Sequence, residues 1–194
     1  MKTTKIAVVF VASITAGVAL AHGGATGIVK ERMDGMAAMQ KAVKAVTPIM
    51  RGQVEYDADA VRSFAAAVEM HSGEAMTKLF PEGTGGKPSE AKDAVWTEWE
   101  GFESLAMDLD VLSKALSEAA GNGLAVETSA NAGASMMGTG AMMGSQSATG
   151  SMMGQSGVDM LDADMLATMP ADALFTRISQ TCSACHTKYR AESN

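Results

Sequence analysis

Apolar and polar residues recur along most of the chain with a period between three and four, and no stretch shows convincing strand alternation. The first periodic segment runs from about Gly27 to Met50. Val29, Met33, Met36, Met39, Val43, Val46 and Met50 follow at steps of three and four, which places them on one stripe of a helix. Pro48 and Gly52 mark its end. The second segment, about Asp57 to Phe80, carries Val61, Phe64, Val68, Ala75, Met76 and Leu79, and the run PEGTGGKP then breaks the chain. The third starts at Ser89, where Ser-Glu-Ala-Lys offers a helix cap, and ends at AAGNG. Its stripe is Val95, Trp99, Phe102, Leu105, Leu109, Leu112 and Leu116. The fourth begins near Pro170, a good first-turn residue, and steps through Leu174, Ile178, Cys182, Cys185 and Tyr189, so both cysteines face inward. Four amphipathic helices with two short loops predict an all-α chain folded as an antiparallel four-helix bundle.

The third connection differs from the other two. From about Thr128 to Gly157 the composition falls to Ser, Gly, Ala, Thr and Met, with SMMG at Ser135 and Ser151 and AMMG at Ala141 between them. Such a segment has too little bulky apolar surface to hold a fixed structure, so it reads as a flexible insertion before the last helix. Closely repeated thioethers suit Cu(I), yet the composition is first of all that of a linker without a ligand. A short helical turn is expected between Asp159 and Met169.

Charge and the first residues narrow the setting. The chain opens MKTTKIAVVFVASITAGVALA: Lys2 and Lys5, an apolar run from Ile6 to about Leu20, then the small-x-small pattern Ala19-Leu20-Ala21. That order reads as a secretory signal peptide over residues 1–21, with the bundle occupying 22–194. A membrane anchor is the alternative, but the apolar run is short for one and nothing after it resembles a stop-transfer sequence. Cleavage removes Lys2 and Lys5 and moves the formal charge from −7 to −9. A periplasmic protein is expected, with no membrane span after cleavage. Nucleic acid is excluded as a partner, since binding it requires a basic face.

The chain has only two cysteines and three histidines, and Cys182, Cys185 and His186 fall within five residues. Cys182-Ser-Ala-Cys185-His186 is the C-x-x-C-H pattern of haem attachment. Each thiol joins one haem vinyl group, and the histidine that follows supplies the proximal nitrogen. Three other chemistries share parts of this pattern. A redox dithiol belongs beside a βαβ unit, which the chain lacks. Structural zinc needs four ligands, and only His22 and His71 remain to complete the set. A plain disulfide leaves His186 without a purpose.

An exported four-helix bundle with C-x-x-C-H on its last helix resembles the cytochrome c prime family, the class II c-type cytochromes. CSACHTKYR is similar to that family's closing C-x-x-C-H-x-x-Tyr-Arg, VWTEWEGF to its Trp followed six residues later by Phe, here Trp96 and Phe102, LFPEG to the turn after its second helix, and RMDGM to its first-helix Arg with an apolar residue four further on. The insertion at 128–157 departs from the family, whose connection there is much shorter. The resemblance implies one covalent haem c, with Cys182 and Cys185 as thioether attachments and His186 as proximal iron ligand. It also implies that Arg190 lies near the proximal face, that Arg32 lies close to a haem propionate, and that Met36 faces the sixth coordination position. Arg32 and Met36 are i,i+4 neighbours and share a helix face, while Met36 on its stripe is by itself an ordinary packing residue. No role is assigned to His71.

The family divides by what fills the sixth position. A methionine sulfur on the iron gives a low-spin electron carrier with a raised potential. An unligated position gives a five-coordinate haem that binds nitric oxide or carbon monoxide. The expected function is single-electron transfer with a redox partner protein, gas binding is the alternative, and copper binding by the insertion is third. No enzymatic activity is expected, because no histidine on the first helix is available for distal acid/base work. Related proteins often form homodimers through their first two helices.

Overall fold

The computed structural model describes residues 24–125 and 162–192. The signal-peptide pattern at 1–21 and the Met-rich insertion at 128–157 lie outside the described residues. Helix α1 spans Gly27–Met50 and carries Pro48 in its last turn. Gly52, at φ +62°, turns the chain out of it.

The second periodic segment is divided rather than continuous. Helix α2, Ala58–Glu69, is capped by the Asp57 carboxylate, which accepts from the amides of Asp59 at 2.9 Å and Ala60 at 3.0 Å. A break at Met70-His71-Ser72 leads into the short α3, Gly73–Thr77. Gly73 is the cause: it sits at φ +55°, and a Cβ there would stand 3.2 Å from Cβ of Asp110 on the facing helix. Apolar spacing continues across this break, which is why periodicity alone reads it as one helix.

The third segment also starts later than Ser89. Helix α4 is Ala94–Thr97 and α5 is Trp99–Ala119, separated by Glu98 at φ −128°, ψ 45°; a single 3₁₀ turn, Ala120–Asn122, closes it. Ser89 does not cap a helix, because its hydroxyl accepts from the Ala91 amide at 3.1 Å and from Arg32 at 2.7 Å. The backbone at Ala91 forms an antiparallel bridge with Arg190, an extended pairing incompatible with helix.

Past the insertion, α6 (Ala163–Ala167) is the expected short turn, capped by Asp162. Helix α7, Ala171–Tyr189, follows, with Pro170 immediately before its first residue rather than inside its first turn. Among the described residues there is no strand beyond the one isolated bridge.

Four helical rods result: α1, α2 with α3, α4 with α5, and α7. Helix α5 is the hub, packed on α2, α3, α6 and α7; α1 packs mainly on α2 and touches α7 lightly. Val46, Val61, Phe64, Phe102, Leu116, Leu174 and Ile178 are at most 2 % exposed and interlock between the rods. Each large side chain so buried contributes roughly 1.5–3 kcal/mol. Phe102 anchors the lower end, edge-on to Phe80 at 4.8 Å and to Tyr189 at 5.5 Å.

Candidate cofactor site on the last helix

Helix α7 turns the C-x-x-C-H run into a defined surface. Leu174 and Ile178 are buried against α5, and the same stripe continues into Cys182 and Cys185, both half-buried and packed against the core. They are three positions apart, so they stand about one turn apart on one face. Both thiols are free. His186 occupies the next position and is exposed.

The electrostatics separate the competing chemistries. Burial pushes the Cys182 thiol upward. Burial, and secondarily the neighbouring Cys182, push Cys185 to about 11. Redox-active dithiols need the opposite, a thiol pKa lowered toward neutrality. Burial and then the positive charge of Arg190 push the His186 imidazole below its ordinary value, which favours the neutral, metal-ligating form. Among the described residues no three His, Cys, Asp or Glu side chains converge as a metal-ion cluster. Two half-buried thiols with raised pKa followed by an exposed imidazole are the groups that covalent haem attachment uses.

The remaining site residues fall on two other elements. Met36 on α1 is half-buried and packs on the same core that Cys182 and Cys185 border. Its neighbours are distinguished from it: Met39 is buried in the core, and Met33 lies off the packed cluster. Arg32, one turn earlier, is buried at 5 % exposure. Its Nη1 donates to the carbonyl of Leu79 at 3.4 Å and to Oγ1 of Thr84 at 3.2 Å. Its Nη2 donates to the carbonyl of Thr84 and to Oγ of Ser89 at 2.7 Å. The guanidinium also lies 4.7 Å from the centre of the Phe80 ring. Arg190 follows α7; its Nε donates to Glu90 Oε2 at 2.7 Å, and its amide donates to the His186 carbonyl at 3.1 Å.

Cys182, Cys185 and Met36 each pack against the core, the first two from α7 and the third from α1, and His186 and Arg190 stand at the end of α7. Sequence reading missed Thr84, Ser89 and Glu90, the partners of the two arginines, since a Gly/Pro-rich loop carries no periodicity to single them out. Trp96, named above for its place in VWTEWEGF, closes the same loop: its indole donates to the carbonyl of Phe80 at 2.9 Å. His71 faces elsewhere, into an open groove of about 410 Å³ between α1 and α3, with its ring against Gly35.

Comparison with known proteins agrees with this architecture. The family model described as Cytochrome C' matches residues 27–142, ending before the C-x-x-C-H run. Cytochrome c' from Thermochromatium tepidum is similar in structure at a TM-score of 0.54 and 24 % identity, covering 85 % of this chain and 95 % of that one. A nitric oxide complex of a cytochrome c prime variant from Alcaligenes xylosoxidans matches at a TM-score of 0.54 and 20 % identity, over 86 % of this chain and 94 % of that one. A carbon monoxide-bound variant from the same organism matches at 0.54 and 21 %, over 85 % and 94 %. No curated protein sequence matches the chain. The family match spans more than half the chain and the bundle agrees with it: the chain belongs to the cytochrome c prime family, proteins that carry covalent haem c.

Proposed function

We propose that the protein is a periplasmic carrier of single electrons, with haem c joined to Cys182 and Cys185 and His186 as the proximal iron ligand. The observation that carries this reading is that Cys182 and Cys185 stand one turn apart on α7, half-buried against the core with both thiols free, and that His186 follows them exposed on the same helix. Each thiol would hold the haem as a thioether, its S–H adding across one vinyl double bond with the sulfur on one carbon and the proton on the other. The bound haem supplies a one-electron ferric–ferrous exchange. The chain's own residues orient it. Cys182 and Cys185 would fix its edge to α7, burial and secondarily Arg190 disfavour the charged form of the His186 imidazole, and Met36 presents a soft, polarizable side chain from α1. Export rests on the signal-peptide pattern at 1–21, and no described helix is long and apolar enough to cross a membrane.

A second reading, binding of nitric oxide or carbon monoxide, is favoured by the complexes of those two gases among the similar structures. The two readings part at Met36. Optical spectra of the matured protein, ferric and ferrous, before and after carbon monoxide, distinguish them. A low-spin spectrum that carbon monoxide barely alters supports a methionine-ligated electron carrier. A high-spin spectrum that carbon monoxide changes strongly supports gas binding. A matured protein without covalent haem refutes both.

A further inference from the structure

The loop between α3 and α4 is tied at both ends to the elements that carry the site. At one end Arg32 of α1 donates all four of its Nη protons to it: to the Leu79 carbonyl, to the hydroxyl and carbonyl of Thr84, and to the Ser89 hydroxyl. Among the described residues every one of these acceptors is neutral, so the buried guanidinium works by hydrogen-bond geometry and by its stacking on Phe80 rather than by ion pairing. Ser89 passes the connection on, since the oxygen that accepts from Arg32 also accepts from the Ala91 amide. At the other end the backbone is zipped to the end of α7. The Lys92 amide donates to the Tyr189 carbonyl at 2.8 Å, and the Ala191 amide to the Glu90 carbonyl at 2.7 Å. The Glu90–Arg190 ion pair at 2.7 Å and a bond from Lys92 Nζ to the Thr187 carbonyl at 3.1 Å flank that pairing.

We propose that residues 79–92 form a strap that couples the Met36 face of α1 to the end of α7 beside His186, and that Arg32 is its clasp and a positioning residue for the haem. The packing gives the strap a role: α1 and α7 touch each other only lightly, so apart from the indirect path through α2 and α5 the strap is their link. Arg32 sits one turn from Met36 on α1, and Tyr189 to Ala191 begin three residues after His186. A change at Arg32 is therefore transmitted to the backbone beside the proximal ligand, without Arg32 touching that ligand. The consequence for haem rests on the function proposed above; the strap itself does not.

The test compares Arg32→Lys, Arg32→Met and Ser89→Ala in the full matured protein, reading amide hydrogen exchange and the optical spectrum. Lysine retains the charge but has no planar fork to span four acceptors. Both Arg32 variants are expected to speed exchange at Ala91, Lys92 and Ala191 by about ten- to a hundredfold, as loss of hydrogen bonds to a charged group implies. Core amides of α2 and α5 should be unchanged. The spin state or carbon monoxide affinity should shift in Arg32→Lys and Ser89→Ala in the same direction. Ser89→Ala removes a single loop hydroxyl and leaves every residue of α1 in place, which keeps the test available if an Arg32 variant does not fold. Unchanged exchange in Arg32→Lys together with an altered spectrum overturns the clasp and gives Arg32 a direct role at the haem. Faster exchange with an unaltered spectrum overturns the coupling to the haem. If no haem is attached even in the unsubstituted protein, the functional reading falls, while the exchange comparison still decides the strap.

Discussion

Gly101 to alanine is a change whose sign the structure decides. Gly101 lies in the first turn of α5, where exchanging glycine for alanine ordinarily stabilises a helix by about 0.5–1 kcal/mol. Here a Cβ would stand 2.7 Å from Oη of Tyr189 and 3.5 Å from Nζ of Lys188. The lysine contact is ordinary; the tyrosine contact is not. Tyr189 is 3 % exposed, and its ring is held edge-on to Phe102 at 5.5 Å, so its hydroxyl cannot swing away without disturbing the core. Overpacking of this kind costs about 1–3 kcal/mol, and the weak bond from Tyr189 Oη to the Glu98 carbonyl at 3.4 Å would be strained as well. The overpacking outweighs the propensity gain, leaving Gly101→Ala destabilising by about 1–2 kcal/mol. For a chain of this size that lowers Tm by about 2–8 °C. Thermal unfolding followed by circular dichroism measures it. The companion measurement is Gly101→Ala in a Tyr189→Phe background, where the obstructing oxygen is absent and the alanine should be neutral or mildly stabilising. If Gly101→Ala alone raises Tm, the close approach of α5 to Tyr189 is wrong.

Two further outcomes follow from local physical chemistry. Asp57→Ala removes the acceptor of two amides at the start of α2 and should cost about 0.5–2 kcal/mol in denaturant unfolding, with Asp57→Asn retaining most of it. The His186 imidazole of the haem-free protein should titrate below an ordinary histidine when followed by proton NMR, since burial and then Arg190 favour its neutral form. Because the folded-state pKa is depressed, this group favours folding above its unfolded value of roughly 6.5 and loses that contribution as pH falls through the folded pKa. Arg190→Gln should move the midpoint back upward; an unmoved midpoint would show that Arg190 is not felt at the ring.

The rods were legible in the sequence because burial imposes a period: Val61, Phe64 and Val68, or Leu109, Leu112 and Leu116, have no other reason to recur as they do. The haem run was legible for a different reason, that its chemistry requires a contiguous order of residue types. Breaks were not. The division at Gly73 depends on how closely α3 approaches Asp110, and the late start of α4 depends on Ala91 pairing with Arg190, a residue far along the chain. Ser89 illustrates the limit well. Its local sequence satisfies the requirements of a helix cap, yet its hydroxyl is taken by Arg32 from the first helix. Long-range partners of this kind leave no periodic trace.

The same contrast explains why the identity of Met36 does not by itself decide how the protein works. On α7, Cys182, Cys185 and His186 are placed relative to one another by a single helix, whose rise and turn are the same wherever it sits. The relation of Met36 to His186 spans two helices that touch lightly and are joined through α2, α5 and the strap at 79–92. In the function proposed above, attachment of the haem would therefore be a local property of the sequence, whereas occupation of its sixth position would depend on the separation of two rods. A loop with no chemistry of its own, fastened by one buried arginine at one end and by a few backbone bonds at the other, is the part of the fold best placed to set that separation.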